Sequence, residues 1–448
     1  MTHFSAEVRN MLMPTARAQQ TAGAYTKNVP AGNSSVTSIQ QPAAFETSRK
    51  DSFGIVLCLE FLVVFFVSLQ GYYYYQINLA PFPIAGFGIL LLLCLHAGVR
   101  VLHNDSAFIG MVLLVLAAST IVGTLAVGGE NSWRNTVGSF VGPLFGLAFV
   151  TYFRNRLSAL MKCLKATLLV HVAAGTTQFI CFYVLGFYPD FLEPVTGEVQ
   201  RYVGTSDLTG MARPTGLFPE PAHYALWIIV MVFMISRFRI PVTLFQIFAL
   251  LTAIANFSLL GIAMTTAFFA FYWLSDSRRI LMKIATIIVA GAVLIYGSAV
   301  IQNASTRVQN IQSDVSYNSR FTDSFGYFGD LPTSAKFFGT GIGVIDSLSY
   351  GSVYSYFLIR FGIILTLALL GCGIWYLRTV CRTSLLALSY VARLFLGTLM
   401  PTYGVCWMVI AASALLEKAA TSPRHERSPG IADNPMDGTL ASGLLTGG

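Results

Sequence analysis

The feature that most constrains this chain is a succession of apolar stretches, each roughly 15–25 residues long, running from about Phe53 to residue 417. A helix rises about 1.5 Å per residue, so stretches of this length match the ~30 Å hydrocarbon core of a bilayer. Lipid offers no partner to backbone N–H and C=O groups, and a helix satisfies them within one segment. The sequence therefore predicts an all-α polytopic membrane protein of about twelve transmembrane helices. They fall at about 54–75, 83–99, 107–127, 136–153, 166–187, 222–236, 240–256, 259–275, 280–299, 351–376, 384–400 and 403–417. Only 11% of the residues are charged, against about 25% in soluble domains, which excludes a string of soluble domains.

The cationic residues report topology. With strict alternation of spans, 20 Lys and Arg fall on the side of the N-terminal tail and 6 on the opposite side, while Arg360 and Arg393 lie within spans. The positive-inside rule then places both termini in the cytoplasm. Residues 1–51 and 419–448 are polar, rich in Ser, Thr, Ala and Gln or in Gly, Ser and Pro, and read as disordered cytoplasmic tails around a membrane domain at 52–418. The net charge of +8 comes with no basic stripe or nucleic-acid motif, so no nucleic-acid partner is expected. The seven cysteines lie in or beside apolar segments without a CxxC pair, which argues against a disulfide framework or a zinc site.

Two connections break the pattern of short loops, at about 188–221 and 301–350, and both emerge on the non-cytoplasmic side. Long loops in a compact bundle are usually functional. The first ends in Arg213-Pro-Thr-Gly-Leu-Phe-Pro-Glu-Pro-Ala-His-Tyr-Ala-Leu-Trp227. Pro221 suits the first position of a helix, where its missing N–H is no loss. Glu220 then stands at the helix entrance, where the dipole favours an anion, and His223 follows on roughly the same face. Gly216 permits a tight turn that returns Arg213 over the helix end. A helix N-terminus beside an arginine can receive an anion; alternatively Glu220 only caps the helix and Arg213 pairs with it.

The second loop carries Arg307 and Arg320, then Gly339, Gly341 and Gly343. Glycines let successive N–H groups turn toward a phosphate; the plainer alternative is a flexible lead-in to the span at 351–376. Arg360, inside that span, is a candidate for a cavity role because intramembrane charge is costly and is usually paired or functional. His171, inside the fifth span, reads as a polar helix–helix contact. No metal motif, Walker sequence or Asp-x-Asp appears, so neither a metal nor a nucleotide cofactor is expected.

About twelve spans, an outer loop ending in Arg213-Pro-Thr-Gly-Leu-Phe-Pro-Glu-Pro221 and a second outer loop with arginines and a Gly-rich exit resemble the O-antigen polymerase and ligase superfamily, nearest its Wzy-type polymerases. The resemblance covers about residues 53–417. It implies a GT-C-type glycosyltransferase bundle in the bacterial inner membrane, with both long loops periplasmic. It implies polymerisation of undecaprenyl-diphosphate-linked oligosaccharide repeat units into a surface or secreted polysaccharide, with no cofactor. A chain-length regulator and a flippase are the partner proteins such an enzyme would work beside.

On this reading Arg213 and Arg320 hold the diphosphates, with Arg201, Arg307 and Arg360 as weaker contributors. Glu220 is the first candidate for base and His223 the second. Two departures stand out. Arg201 and Arg320 each precede a glycine (Gly210 and Gly329) by eight intervening residues, where some polymerases have ten. The second loop has no His, whereas O-antigen ligases typically place a functional one there, which favours polymerase over ligase. A lipid-linked-oligosaccharide flippase or transporter is the third class; it should line a central cavity with charge from several spans.

Overall fold

The apolar runs are helical wherever the computed structural model describes them: residues 44–69, 81–99, 101–127, 133–197, 200, 213–237, 243–256, 323–342 and 353–376, with short pieces within 261–291, at 378 and within 407–415. The helices are α1 (Ala44–Ser68), α2 (Pro81–Ala97), α3 (His103–Val127), α4 (Trp133–Phe153), α5 (Leu157–Leu185), the single turn α6 (Glu193–Thr196), α7 (Pro221–Arg237), α8 (Leu244–Ala255), α9 (Asp323–Asp330), α10 (Thr333–Phe338) and α11 (Val353–Trp375). No strand occurs among the described residues. Asp51–Gly448 forms one compact unit; of the other, Met1–Lys50, residues 44–50 are described, as the start of α1.

Among the described residues, three helices are long and apolar enough to cross a membrane: His103–Gly123, Leu157–Leu185 and Tyr354–Trp375. Five shorter apolar helices accompany them: Gly54–Ser68, Phe82–Ala97, Ser139–Phe153, Pro221–Ser236 and Leu244–Ala255. This is the helix inventory of a membrane protein. The expected spans at 280–299 and 384–400 lie almost wholly outside the described residues. The boundaries differ where charge interrupts the apolar signal. α1 begins at Ala44, ahead of Phe53, and α5 begins at Leu157, ahead of 166, because Lys162 and Lys165 in its first three turns hide its start from the apolar signal.

Sequence explains the helix ends. Gly186, at φ +75°, closes α5 with a left-handed cap: its N–H donates to Phe182 O (3.2 Å), and the N–H of Phe187 donates to Cys181 O (3.2 Å). Thr243 and Gln246 form a reciprocal capping box at the start of α8.

α7 is the inner post of the bundle. Every residue from Tyr224 to Ser236 is buried, which is the expected fate of a helix that is apolar all round. α5 packs on one flank and α8 on another. Tyr224 ties the three together. Its hydroxyl donates to Thr252 Oγ1 on α8 (2.8 Å), and its ring lies against Gly175 of α5, where a Cβ would come within 2.6 Å of the ring. Asn256, fully buried at the end of α8, donates its amide to Pro221 O at the start of α7.

The turn between α4 and α5 holds a feature that charge counting concealed. Arg156 donates to Glu60 of α1, a fully buried carboxylate that also accepts from Tyr152 Oη (2.8 Å). Arg154 donates to buried Asp105 of α3, which accepts from Tyr376 Oη (2.8 Å). Both arginines therefore bolt helices together. Replacing Arg156 with alanine would leave the Glu60 carboxylate buried with Tyr152 as its donor. Breaking such a pair costs about 3–5 kcal/mol when both partners are buried. Arg156 is 32% exposed, so we expect a loss of about 2 kcal/mol in detergent unfolding. A Glu60→Leu/Arg156→Leu double variant should recover most of it; a single variant as stable as wild type would refute the pairing.

Candidate functional site

From Arg213 to Ser236 only Arg213, Glu220, Ala222 and His223 are partly exposed; everything between and beyond them is buried. The three polar residues expected to form a site thus stand on the rim of an otherwise enclosed segment, at the N-terminus of α7. The carbonyl of Glu220 accepts the N–H of His223 (3.1 Å) and of Tyr224 (3.2 Å), so Glu220 begins the helix as its N-cap residue. The turn before it needs Gly216. Its φ is +58°, and a Cβ there would come within 2.6 Å of the Tyr224 ring.

Phe218 anchors the segment. It is fully buried, stacks on His171 of α5 (centroids 4.7 Å apart) and lies parallel to Trp227 (6.3 Å). His171 makes the interhelical contact its sequence position suggested. Ser68 donates to Phe65 O (2.6 Å), so its oxygen accepts from His171 Nε2 (2.8 Å), joining α1 to α5.

Four residues unmarked in the sequence hold the turn in place. Gln178 of α5 accepts the N–H groups of Thr215 (3.0 Å) and Gly216 (2.6 Å) on Oε1. Its Nε2 donates to Gly216 O (3.1 Å), Pro189 O (3.1 Å) and Gln200 Oε1 (2.8 Å). Gln200 donates to Gly216 O (2.9 Å) and Phe218 O (3.1 Å), and its own N–H is fixed by Asp190 Oδ2 (2.7 Å). Tyr188 Oη accepts the N–H of Thr215 (3.2 Å). The available signal was a glutamine inside an apolar span, which has to find partners there.

The second loop has a different arrangement from the expected one. α11 is interrupted at Gly362, whose φ is +64°. The carbonyls this releases are taken by the glycine-rich turn: Thr340 N–H donates to Ile359 O (2.8 Å) and Gly341 N–H to Arg360 O (3.1 Å). Gly339 N–H donates to Ala335 O (2.7 Å). Ser119 of α3 also donates to Arg360 O (2.8 Å). The N–H groups of Gly339 and Gly341 therefore satisfy helix ends rather than facing a phosphate. Arg360 is buried and donates through Nη1 to Gly341 O (3.0 Å), so its guanidinium holds the turn.

Arg213, Gly216, Glu220 and His223 thus belong to one assembly, and Gly339, Gly341 and Arg360 to another. The first packs in the core around α7, the second in a separate core around α3 and α11. Arg201, Arg307, Arg320 and Gly343 lie outside the described residues. Among the described residues no group of His, Cys, Asp or Glu could hold a metal ion.

The segment 213–223 that enters α7 therefore carries a guanidinium, a carboxylate and an imidazole on partly exposed residues beside a helix N-terminus. Such a set suits an anionic ligand and proton transfer beside it. No family model matches the chain, and no curated protein or solved structure is similar to it.

Proposed function

We propose that the chain is a membrane glycosyltransferase that polymerises undecaprenyl-diphosphate-linked oligosaccharide repeat units at the periplasmic face of a bacterial inner membrane. The observation that carries the proposal is the rim at the start of α7, where Arg213, Glu220 and His223 stay partly exposed while residues 214–219 between the first two are buried. In the reaction proposed, the bond from the donor sugar's anomeric carbon to the lipid diphosphate breaks. A new bond forms from that carbon to an acceptor hydroxyl. The hydroxyl proton passes to Glu220, with His223 as the alternative base, and negative charge develops on the leaving diphosphate. Arg213 beside the positive end of α7 opposes that charge, with Arg320 of the second loop as its partner. The absence of His from residues 301–350 favours this reading over a ligase.

The test is a deletion strain complemented with wild type, Arg213→Ala, Glu220→Gln or Arg320→Ala, with insertion checked and lipid-linked and surface glycans sized by gel and mass spectrometry. We expect single repeat units to replace long polymer in the variants. Long polymer that stays on its lipid and never reaches a final acceptor would identify a ligase. Repeat units trapped on the cytoplasmic leaflet would identify a flippase.

A further inference from the structure

We propose that Gln178 is a positioning residue of the α7 site, holding the Thr215–Gly216 turn inside the bundle so that Arg213 and Glu220 meet their substrate at a fixed depth. The inference rests on the polymerase reading for its activity arm only.

Gln178 lies two turns, about 10 Å, inside the end of α5 at Leu185. The outer loop reaches down to it. The loop's two N–H groups, at Thr215 and Gly216, end on a side-chain oxygen within an apolar helix. A loop at this depth is tolerated only if its backbone groups find protein partners, and Gln178 supplies both acceptor and donor. An aspartate or glutamate could accept but not donate, and a lysine could only donate. A glutamine answers both needs without burying a charge.

The same depth appears at the second outer loop by an independent register. Thr340 and Gly341 bond to Ile359 and Arg360, nearly two turns, about 10 Å, inside the start of α11 at Val353. Both outer loops therefore dip into the bundle by a similar distance, each held by hydrogen bonds to a helix interior. Gln178 is the only side chain among the described residues that receives both N–H groups of the first turn.

The experiment uses the full chain in lipid nanodiscs, comparing wild type, Gln178→Leu and Gln178→Glu by amide hydrogen exchange and by polymer formation from lipid-linked repeat units, with Arg213→Ala as control. Gln178→Leu should speed exchange of the Thr215 and Gly216 amides roughly tenfold or more, while the amides of Ile228–Phe233 in α7 stay protected. Polymer formation should fall at least tenfold. Gln178→Glu keeps an acceptor oxygen but loses the donor to Gly216 O, Pro189 O and Gln200 Oε1 and buries a charge, so it should restore neither wild-type exchange nor wild-type polymer yield. Unchanged exchange in Gln178→Leu overturns the proposal, as does faster exchange with undiminished polymer, which would leave Gln178 a purely structural contact. If the wild-type chain itself makes no polymer, the polymerase reading fails and the exchange arm alone decides whether Gln178 holds the turn; if Arg213→Ala makes polymer like wild type, Arg213 leaves the site and the positioning role is overturned.

Discussion

Alanine in place of Gly123 should separate α3 from the turn at Thr340–Gly341 and lower the stability of the folded protein by about 3–5 kcal/mol. A Cβ there would overlap Gly341 Cα and Thr340 O and lie 2.5 Å from Gly341 N. All three are backbone atoms, so no side chain can rotate away. Nor can the turn retreat freely, because Thr340 and Gly341 are bonded to Ile359 and Arg360, and Arg360 is bonded back to Gly341. Overpacking a core costs about 1–3 kcal/mol, and breaking these buried bonds adds to it. The control is Gly110→Ala in the same helix, where a Cβ meets nothing within 4 Å. Alanine is worth about 1 kcal/mol over glycine in a helix interior, so that variant should match or exceed wild type. Thermal unfolding in detergent decides the matter. Equal stability of the two variants would mean that the seam is not closed as described.

Arg213→Lys should lower the initial rate of polymer formation in proteoliposomes by about 10²–10³-fold, close to the loss from Arg213→Ala. The charge survives in the lysine variant, so the effect isolates geometry. A guanidinium can grip two diphosphate oxygens at once, while an ammonium acts as a point charge. Arg213 is half-buried and sits at one end of a segment fixed by Gln178, Gln200 and Phe218, so it has little freedom to adjust. A lysine variant with wild-type polymer yield, stably inserted, would remove Arg213 from the diphosphate site.

Local regularities were legible in the sequence, and long-range pairings were not. The helices at 83–99, 107–127, 136–153, 222–236 and 351–376 could be read from apolar run length, and the observed elements match them within a few residues. Pro221 and Glu220 likewise announced a helix start. By contrast, Arg156 finds Glu60 across 96 positions and Arg154 finds Asp105 across 49. No spacing rule reports such distances. The glycines at 339 and 341 were legible as a turn, but the partners of its N–H groups depended on a helix break at Gly362 that composition does not reveal. Gln178 went unmarked because one amide in an apolar span looks like many others until its neighbours are known.

The enclosure of α7 has a consequence for how the protein meets different membranes. At 17 residues this helix is about 26 Å long, shorter than a ~30 Å hydrocarbon layer. Because its flanks are sheathed by protein, it does not have to match that layer. Thickening or thinning of the bilayer is absorbed by tilt of the helices around it and by local deformation of the lipid. The rim at its N-terminus is therefore anchored to the part of the chain least exposed to hydrophobic mismatch, and its geometry should hold steady as acyl-chain length varies.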